Sequence, residues 1–303
     1  MSTTFRQFKK IHKQAYAAFD AGQLDTAAVY FQKLCRYHPD EAAFHYMRGL
    51  VAKNRMDWTT SLSANLRAIE LADEFNEAYH WNAAIAATAL HDWATARKMW
   101  VACELPISAG QGEITENFGI TIIRLNAWDA GETVYARRID PVRAVILNVP
   151  FPESGWRYGD IVLHDGAPTG SRTDQNGREI SVFNALERWK ISSKQTFTLF
   201  AECAHADDMQ ALLNLCQAHD LNAEDWTDST RMICLQCSYG HVHEHRPKSA
   251  AWQTERSIGI SANSLAEIEK VLNEWRGQNR QVLEICQQDY PIPERKDGWA
   301  WWI

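Results

Sequence analysis

The sequence predicts a multidomain protein of class α + (α+β), in which an N-terminal helical array precedes a β-rich domain and an α+β domain. Two observations lead to this fold class. The first hundred residues repeat with a period of 34 to 35 residues, which is typical of stacked helix pairs. After Leu105, short β-branched runs separated by Gly and Pro replace that period. We place the domains at residues 1–108, 109–193 and 194–290, followed by a tail at 291–303.

Small residues at a fixed spacing carry the repeat, because they allow two helices to approach each other closely. Asp57 and Asp92 come before the second helix of the second and third repeats, where Asp is a favoured N-cap residue. Gly22 lies where the turn between two helices needs a permissive backbone. The recurring positions form three series: Ala15, Gly49 and Ala84; Ala27, Ser61 and Ala96; and Phe31, Asn65 and Trp100.

Residues 5–105 resemble the tetratricopeptide repeat (TPR) family, whose repeats are helix–turn–helix units of 34 residues. The best match is AAFDAGQLDTAAVYFQKLCRYHP, in which Ala27 and Phe31 fall on the small and aromatic positions of the second helix and Pro39 closes the repeat. The resemblance implies a concave groove that binds an extended peptide or a helix. By the family's register, the groove is lined by Lys9, His12, Tyr16, Phe19, Tyr46, Leu50, Lys53, Trp81, Ile85 and Thr88.

The groove implied by this resemblance is aromatic. Chaperone-binding members of the family hold a C-terminal carboxylate with a clamp of Lys, Asn and Arg, and here aromatic residues replace most of that clamp. A receptor for chaperone tails is therefore disfavoured. The alternative is that these aromatic side chains pack against another domain of the same chain, because exposed aromatic patches are uncommon on free surfaces.

The middle segment is predicted to form a small barrel or sandwich, because short apolar runs alternate with turn residues. Asn176-Gly177 is a strong turn signal, and His164-Asp165 is expected in a solvated turn. Residues 166–172 lack the Lys of a phosphate-binding loop, so that activity is disfavoured. Ala185–Lys190 is predicted to be a short helix that leaves the barrel. The predicted strands are Ile120–Leu125, Val145–Val149, Gly159–Leu163 and Ile180–Phe183.

The third segment follows the order β-α-β-β-α-β, which is the ferredoxin-like arrangement. This fold hosts many functions and does not identify one. The glycine-aromatic signature of its RNA-binding version is absent, so an RNA-associated factor is a weaker alternative. The predicted strands are Thr196–Glu202, Arg231–Ser238, Ser257–Ser261 and Val282–Ile285, and the predicted helices are Asp207–His219 and Ser264–Trp275.

One cluster has the residue types of a metal site: Cys234, Cys237, His241, His243 and His245. Thiolate and imidazole are typical zinc ligands. However, successive side chains on a strand point to opposite faces, which would separate the two Cys residues of this pair. The alternatives are therefore a zinc site, which would make the protein zinc-binding or a metal-dependent enzyme, and two half-buried Cys residues before a His-rich hairpin loop.

The overall composition favours a cytoplasmic protein that binds other proteins. The net charge of -7 disfavours general nucleic-acid or anionic-membrane binding, and we expect no cofactor apart from the zinc alternative. The seven Cys residues lack the spacing of a disulfide scaffold and are predicted to be reduced. We therefore predict a non-enzymatic adaptor, of which an immunity-type protein is one version.

The C-terminal tail contains Trp299, Trp301 and Trp302. Because tryptophan prefers burial, we expect this tail to dock on its own chain or on a partner.

Overall fold

A computed structural model of the chain describes residues 3–129, 131–173, 177–227, 252–295 and 298. The chain divides into two compact units. The first extends through Glu116 and includes residues 140–142 and the C-terminal residues from Arg295. The second comprises Asn117–Ile139 and Arg143–Glu294. An N-terminal helical array followed by strand-rich α+β structure confirms the general fold class. No helix in the described ranges is both long enough and apolar enough to cross a bilayer.

The first unit contains three successive helix pairs, as the repeat predicts. Each helix packs against the next one in the chain, and the first helices of the second and third pairs also contact each other. The array is therefore TPR-like in its organisation. Its helices are α1 (Thr3–Asp20), α2 (Leu24–Tyr37), α3 (Ala42–Asn54), α4 (Trp58–Leu71), α5 (Glu77–Ala89) and α6 (Trp93–Ala102).

Hydrogen bonds confirm two of the predicted helix starts, and a backbone angle confirms the predicted turn at Gly22. The Asp57 carboxylate accepts a bond from the backbone N–H of Thr60 at 3.1 Å, and the Asp92 carboxylate accepts one from Thr95 at 3.1 Å. Each bond satisfies an N–H group that the first helical turn leaves without an intrahelical partner. Gly22, between α1 and α2, has a φ of 69°, which a residue with a Cβ rarely adopts.

The small residues of the repeat lie where the helices meet, and all are buried. At Gly49 the two helices are in close contact, since a Cβ there would overlap the side-chain amide of Asn65. Asn65 occupies the position that holds Phe31 and Trp100 in the other repeats, and its Nδ2 donates to the carbonyl of Ser61 at 2.8 Å. In the second repeat, a glycine therefore accommodates a polar side chain at the helix contact.

We predict that Gly49→Ala destabilises the chain although alanine favours helix formation. Overlap with Asn65 should outweigh the gain in helix propensity and lower the free energy of unfolding by about 1 to 2 kcal/mol. Urea denaturation of the intact chain measures this change. Gly112→Ala is the matched control, because a Cβ at Gly112 meets nothing within 4 Å. Equal stability of the two variants would contradict the close contact.

Five strands of the second unit close into a barrel in the order β1-β2-β3-β4-β5. Neighbouring strands are antiparallel, except that β1 and β5 pair in parallel where the barrel closes. Apolar side chains fill the interior, including Ile123, Val134, Ala144, Val162 and Ala185. The strands are β1 (Ile120–Arg124), β2 (Thr133–Arg138), β3 (Arg143–Ile146), β4 (Ile161–Thr173) and β5 (Glu179–Lys190).

Several local predictions in the barrel are wrong. Ala185–Lys190 is not a helix but the second half of β5, where pairing with β4 overrides the helix propensity of these residues. Residues 166–172, considered above as a phosphate-binding loop, lie within β4, which accommodates them through shifts of register. The strand predicted at Val145–Val149 is instead Arg143–Ile146. It ends before Val149, whose backbone N–H bonds to the Glu224 carboxylate and not to a neighbouring strand. Asn176 of the predicted turn lies outside the described residues.

The rest of the second unit is a four-stranded antiparallel sheet in the order β7-β8-β6-β9. Two helices pack on one face through an apolar core that includes Leu212, Cys216, Val271 and Trp275. The strand predicted at Arg231–Ser238 lies outside the described residues. The elements are β6 (Gln195–Cys203), α7 (Ala206–Ala218), β7 (Asn222–Asp225), β8 (Glu255–Ala262), α8 (Leu265–Trp275) and β9 (Arg280–Gln287).

Trp226 joins this sheet to the barrel. Its indole covers Gly259 of β8 so closely that a Cβ at Gly259 would overlap the ring. The indole Nε1 donates to the carbonyl of Val149 at 3.1 Å, and the ring also packs against Phe151. The side chain of Glu224 accepts bonds from the Val149 N–H at 3.0 Å and from the Asn148 amide at 2.7 Å. Barrel and sheet therefore share one set of polar and aromatic contacts.

Candidate protein-binding surface

The ten predicted groove residues lie on α1, α3 and α5, the first helices of the three pairs. Within each helix they are spaced three or four residues apart, which places them on a single helix face. The set on α1 is Lys9, His12, Tyr16 and Phe19, the set on α3 is Tyr46, Leu50 and Lys53, and the set on α5 is Trp81, Ile85 and Thr88.

The exposure of these side chains differs along the helices. Lys53, Ile85 and Thr88, toward the C-terminal ends of α3 and α5, are only 5%, 1% and 0% exposed. Lys9 is exposed, and the six remaining side chains are half-buried. A partner can therefore reach mainly the aromatic residues of the predicted set, which include Tyr46 and Trp81 near the start of their helices.

On α1, the aromatic residues stack along the helix and against α3. The ring centroids of His12 and Tyr16 are 4.8 Å apart, and those of His12 and Phe44 are 5.8 Å apart. Tyr16 also meets the buried ring of Phe31 edge-on at 5.2 Å. These contacts hold the rings of His12 and Tyr16 in one orientation while leaving part of each in solvent.

The aromatic contacts continue across α3, α5 and α6. Tyr46 on α3 and Tyr79 on α5 have ring centroids 4.7 Å apart. Trp81 meets Trp100 edge-on at 4.8 Å, and its Nε1 donates to the Glu77 carboxylate at 3.2 Å. We call His12, Tyr16, Tyr46, Tyr79 and Trp81 the aromatic surface.

The carboxylate of Glu41, at the start of α3, acts on two phenols of this surface. Burial raises the pKa of the Tyr16 phenol, and Glu41 and then Tyr79 raise it further. Burial and then Glu41 likewise raise the pKa of Tyr79. One exposed carboxylate therefore acts on phenols that belong to the first and third repeats. The arrangement offers apolar ring faces, phenol hydroxyls and a negative charge to a ligand.

Sequence reasoning missed both Tyr79 and Glu41. Tyr79 follows Phe44 by 35 residues and so occupies the same position in the third repeat that Phe44 occupies in the second. That recurrence was available in the sequence. The effect of Glu41 on these phenols had no such signal, because it depends on how the helices pack.

The described cysteines do not favour nucleophilic catalysis. All five are unbridged: Cys35, Cys103, Cys203, Cys216 and Cys286. Burial raises the pKa of Cys203 to about 11 and that of Cys216 to about 12. Both therefore stay protonated at neutral pH, whereas the thiolate is the reactive form.

The predicted metal ligands Cys234, Cys237, His241, His243 and His245 lie outside the described residues. Within the described ranges, no group of three or more His, Cys, Asp or Glu side chains could hold a metal ion. The tail tryptophans Trp299, Trp301 and Trp302 also lie outside those ranges. Gly298, just before them, accepts a hydrogen bond from the N–H of Leu24 at 2.7 Å, at the start of α2.

No protein-family model matches the chain, and no curated protein matches it in sequence. Among solved structures, one similar to this chain is the TPR2B domain of yeast Sti1 in a complex with pHsp70. The two are 16% identical with a TM-score of 0.30, and the match covers 32% of this chain and 77% of the Sti1 chain. A hypothetical protein from Neisseria gonorrhoeae is 12% identical with a TM-score of 0.29, over 57% of this chain and 96% of that one. These TM-scores are too low to establish a shared fold, so the TPR-like description rests on the three helix pairs themselves.

We predict that Glu41→Gln lowers the pKa of both Tyr16 and Tyr79, because it removes a negative charge that opposes formation of tyrosinate. Alkaline titration of ¹³C-labelled tyrosine rings by NMR measures both values in one sample. Glu70→Gln is the matched control, since Glu70 pairs with Arg67 on α4. Unchanged pKa values in Glu41→Gln would contradict the effect of Glu41 on the two phenols.

Proposed function

We propose that the chain is a non-enzymatic adaptor that binds a segment of a partner protein on the aromatic surface of its TPR-like array. The observation that supports this proposal best is the set of half-buried aromatic rings on α1, α3 and α5, in which His12 contacts Tyr16 and Tyr46 contacts Tyr79. Tyr and Trp are enriched at protein interfaces and dominate their binding energy.

The geometry of the rings suits binding without large rearrangement. An aromatic side chain has few rotatable bonds, and the contact between Tyr46 and Tyr79 already fixes two of the rings. Immobilising them on binding therefore costs little conformational entropy. The interaction energy of an apolar side chain placed on the rings is largely retained as affinity.

The charge near the surface indicates what kind of segment binds. Glu41 is exposed beside Tyr16 and Tyr79 and would repel a carboxylate. Lys53 is buried, so its ammonium is not offered to a ligand from solvent, and the exposed Lys9 does not belong to the aromatic surface. We therefore propose an internal peptide segment that combines an apolar or aromatic side chain with Lys or Arg, and not the carboxylate at the end of a chain.

Selection of peptides from a random display library on the folded chain tests this proposal. We expect enriched peptides to carry apolar and basic residues, and Tyr46→Ala or Tyr79→Ala to weaken their binding by about 2 kcal/mol, which is roughly 30-fold. Tyr37→Ala is the matched control, because Tyr37 is exposed on α2, outside the aromatic surface. Thermal melting of each variant confirms that it is folded.

Two outcomes would contradict the adaptor. One is a selection that enriches no peptide over an unrelated folded protein. The other is enriched peptides that bind Tyr46→Ala and Tyr79→Ala as tightly as the unmodified chain.

The proposal also includes the fold of residues 194–290, the location in the cell and one specific version of the adaptor. The strand order β7-β8-β6-β9, with two helices on one face, supports a ferredoxin-like arrangement at residues 194–290. The unbridged described cysteines are compatible with action in the cytoplasm. An immunity-type protein that sequesters a toxin is one version of the adaptor, motivated by the net charge of -7 and by the lack of a catalytic motif in the sequence.

A zinc site at Cys234, Cys237, His241, His243 and His245 remains the second proposal, based on the ligand types in the sequence. Metal analysis of untagged chain tests it. Stoichiometric zinc, lost together with stability when a chelator is added, is the expected result. A chain that contains no zinc and melts at the same temperature with and without chelator would rule the site out.

A further inference from the structure

One end of the barrel opens into a cavity of about 420 Å³ that the adaptor function does not use. The cavity is lined by residues at the start of β1, the end of β2 and the start of β5. Because β1 and β2 are antiparallel and β1 and β5 are parallel, these three places meet at the same end of the barrel. The open ends of β-barrels are common positions for small-molecule sites.

Arg138 brings a positive charge to this cavity from the interior side of β2. Side chains on a strand alternate, so Arg138 lies on the same face as Val134 and Ala136, which pack in the barrel core. One Nη of Arg138 donates to the carbonyl of Phe118 at 3.1 Å. Its Nε is buried and has no hydrogen-bond partner among the described residues. Buried donors of this kind are normally satisfied.

His164 lies next to the cavity and is 0% exposed, so the solvated turn expected from the sequence is wrong. Its ring centroid is 5.1 Å from that of Phe183, which lines the cavity. The Nδ1 is 2.7 Å from the carbonyl oxygen of Asp165, to which it donates. The Nε2 is then an acceptor, and it has no partner among the described residues.

Arg138 and His164 offer complementary hydrogen-bonding groups, a donor and an acceptor. Burial and, to a smaller extent, the charge of Arg138 lower the pKa of His164 to about 4, so the imidazole is neutral at pH 7. Arg138 follows the core residue Ala136 on β2, and His164 follows the core residue Val162 on β4, so both side chains come next after the apolar interior of the barrel. Arg138 contributes a buried donor and His164 a buried acceptor that have no partner among the described residues. At the rim, Arg178 adds a second positive charge, and Glu179, which accepts a bond from Ser171, adds a negative one.

We propose that this cavity binds a small molecule that carries a phosphate monoester, with Arg138 holding the phosphate and Phe183 contacting the organic part. A phosphate monoester loses its second proton with a pKa of about 6, so the monoanion that carries a P–OH predominates below that pH, where the His164 imidazole is still neutral. The oxygens of this monoanion accept bonds from the Arg138 guanidinium, and its P–OH donates to the His164 imidazole. A carboxylate offers acceptors only and leaves His164 unsatisfied. The donor and acceptor pattern therefore favours phosphate over carboxylate.

Titration of the full chain with phenyl phosphate, benzoate and inorganic phosphate at matched ionic strength and at about pH 5.5, where the phosphate monoanion predominates and benzoate is still ionised, tests this site. We expect millimolar phenyl phosphate to raise the melting temperature and to shift the NMR signals of the Arg138 Nε–H and the His164 ring. Inorganic phosphate should act more weakly, because it lacks the group that contacts Phe183. Benzoate should act at least tenfold more weakly than phenyl phosphate.

Arg138→Gln should lower the affinity for phenyl phosphate at least tenfold. The matched control is Arg137→Gln, which removes the same charge from the exposed face of the same strand. If Arg138→Gln does not fold, the shift of the Arg138 Nε–H in the unmodified chain decides the question. The proposal is overturned if phenyl phosphate leaves that signal unchanged, if both variants bind equally, or if benzoate binds as tightly as phenyl phosphate.

Discussion

The close approach of helices in the array is the constraint on which the aromatic surface depends. Gly49 brings α3 against Asn65 of α4, and buried alanines do the same in the other repeats. This packing sets the distance between α1, α3 and α5. Rings on neighbouring first helices then meet at 4.7 Å in the case of Tyr46 and Tyr79. An aromatic surface in which rings touch across helices is therefore a consequence of small residues elsewhere in the repeat.

In the second unit, contacts of one tryptophan side chain hold the sheet against the barrel. Trp226 covers Gly259 of the sheet and bonds to Val149 of the barrel, so one side chain fixes two elements that are distant in sequence. At the end of the barrel, the interior changes from apolar to polar where Arg138 and His164 follow the core residues of β2 and β4. The contrast between a packed interior and an unsatisfied polar end distinguishes a structural core from a place suited to a ligand.

Sequence reasoning succeeded where the physical signal is local. A period of 34 to 35 residues identified the helix pairs, and the N-cap preference of Asp57 and Asp92 located two helix starts. It failed where pairing is distant. Residues 185–190 favour a helix by propensity and become a strand only through pairing with β4. The position of Glu41 near Tyr16 and Tyr79, and that of His164 beside Phe183, likewise follow from tertiary packing and have no local pattern.

The parallel pairing of β1 with β5 also determines when the barrel can form. Ile122 pairs with Val182, sixty residues later. The hydrogen bonds between β1 and β5 therefore cannot form until the whole middle segment has left the ribosome. The helical array, by contrast, is built from contacts between successive helices and can assemble while the rest is still being synthesised. During synthesis the chain therefore passes through a stage in which the repeats can be folded while the edge of β1 that later pairs with β5 remains open to other chains.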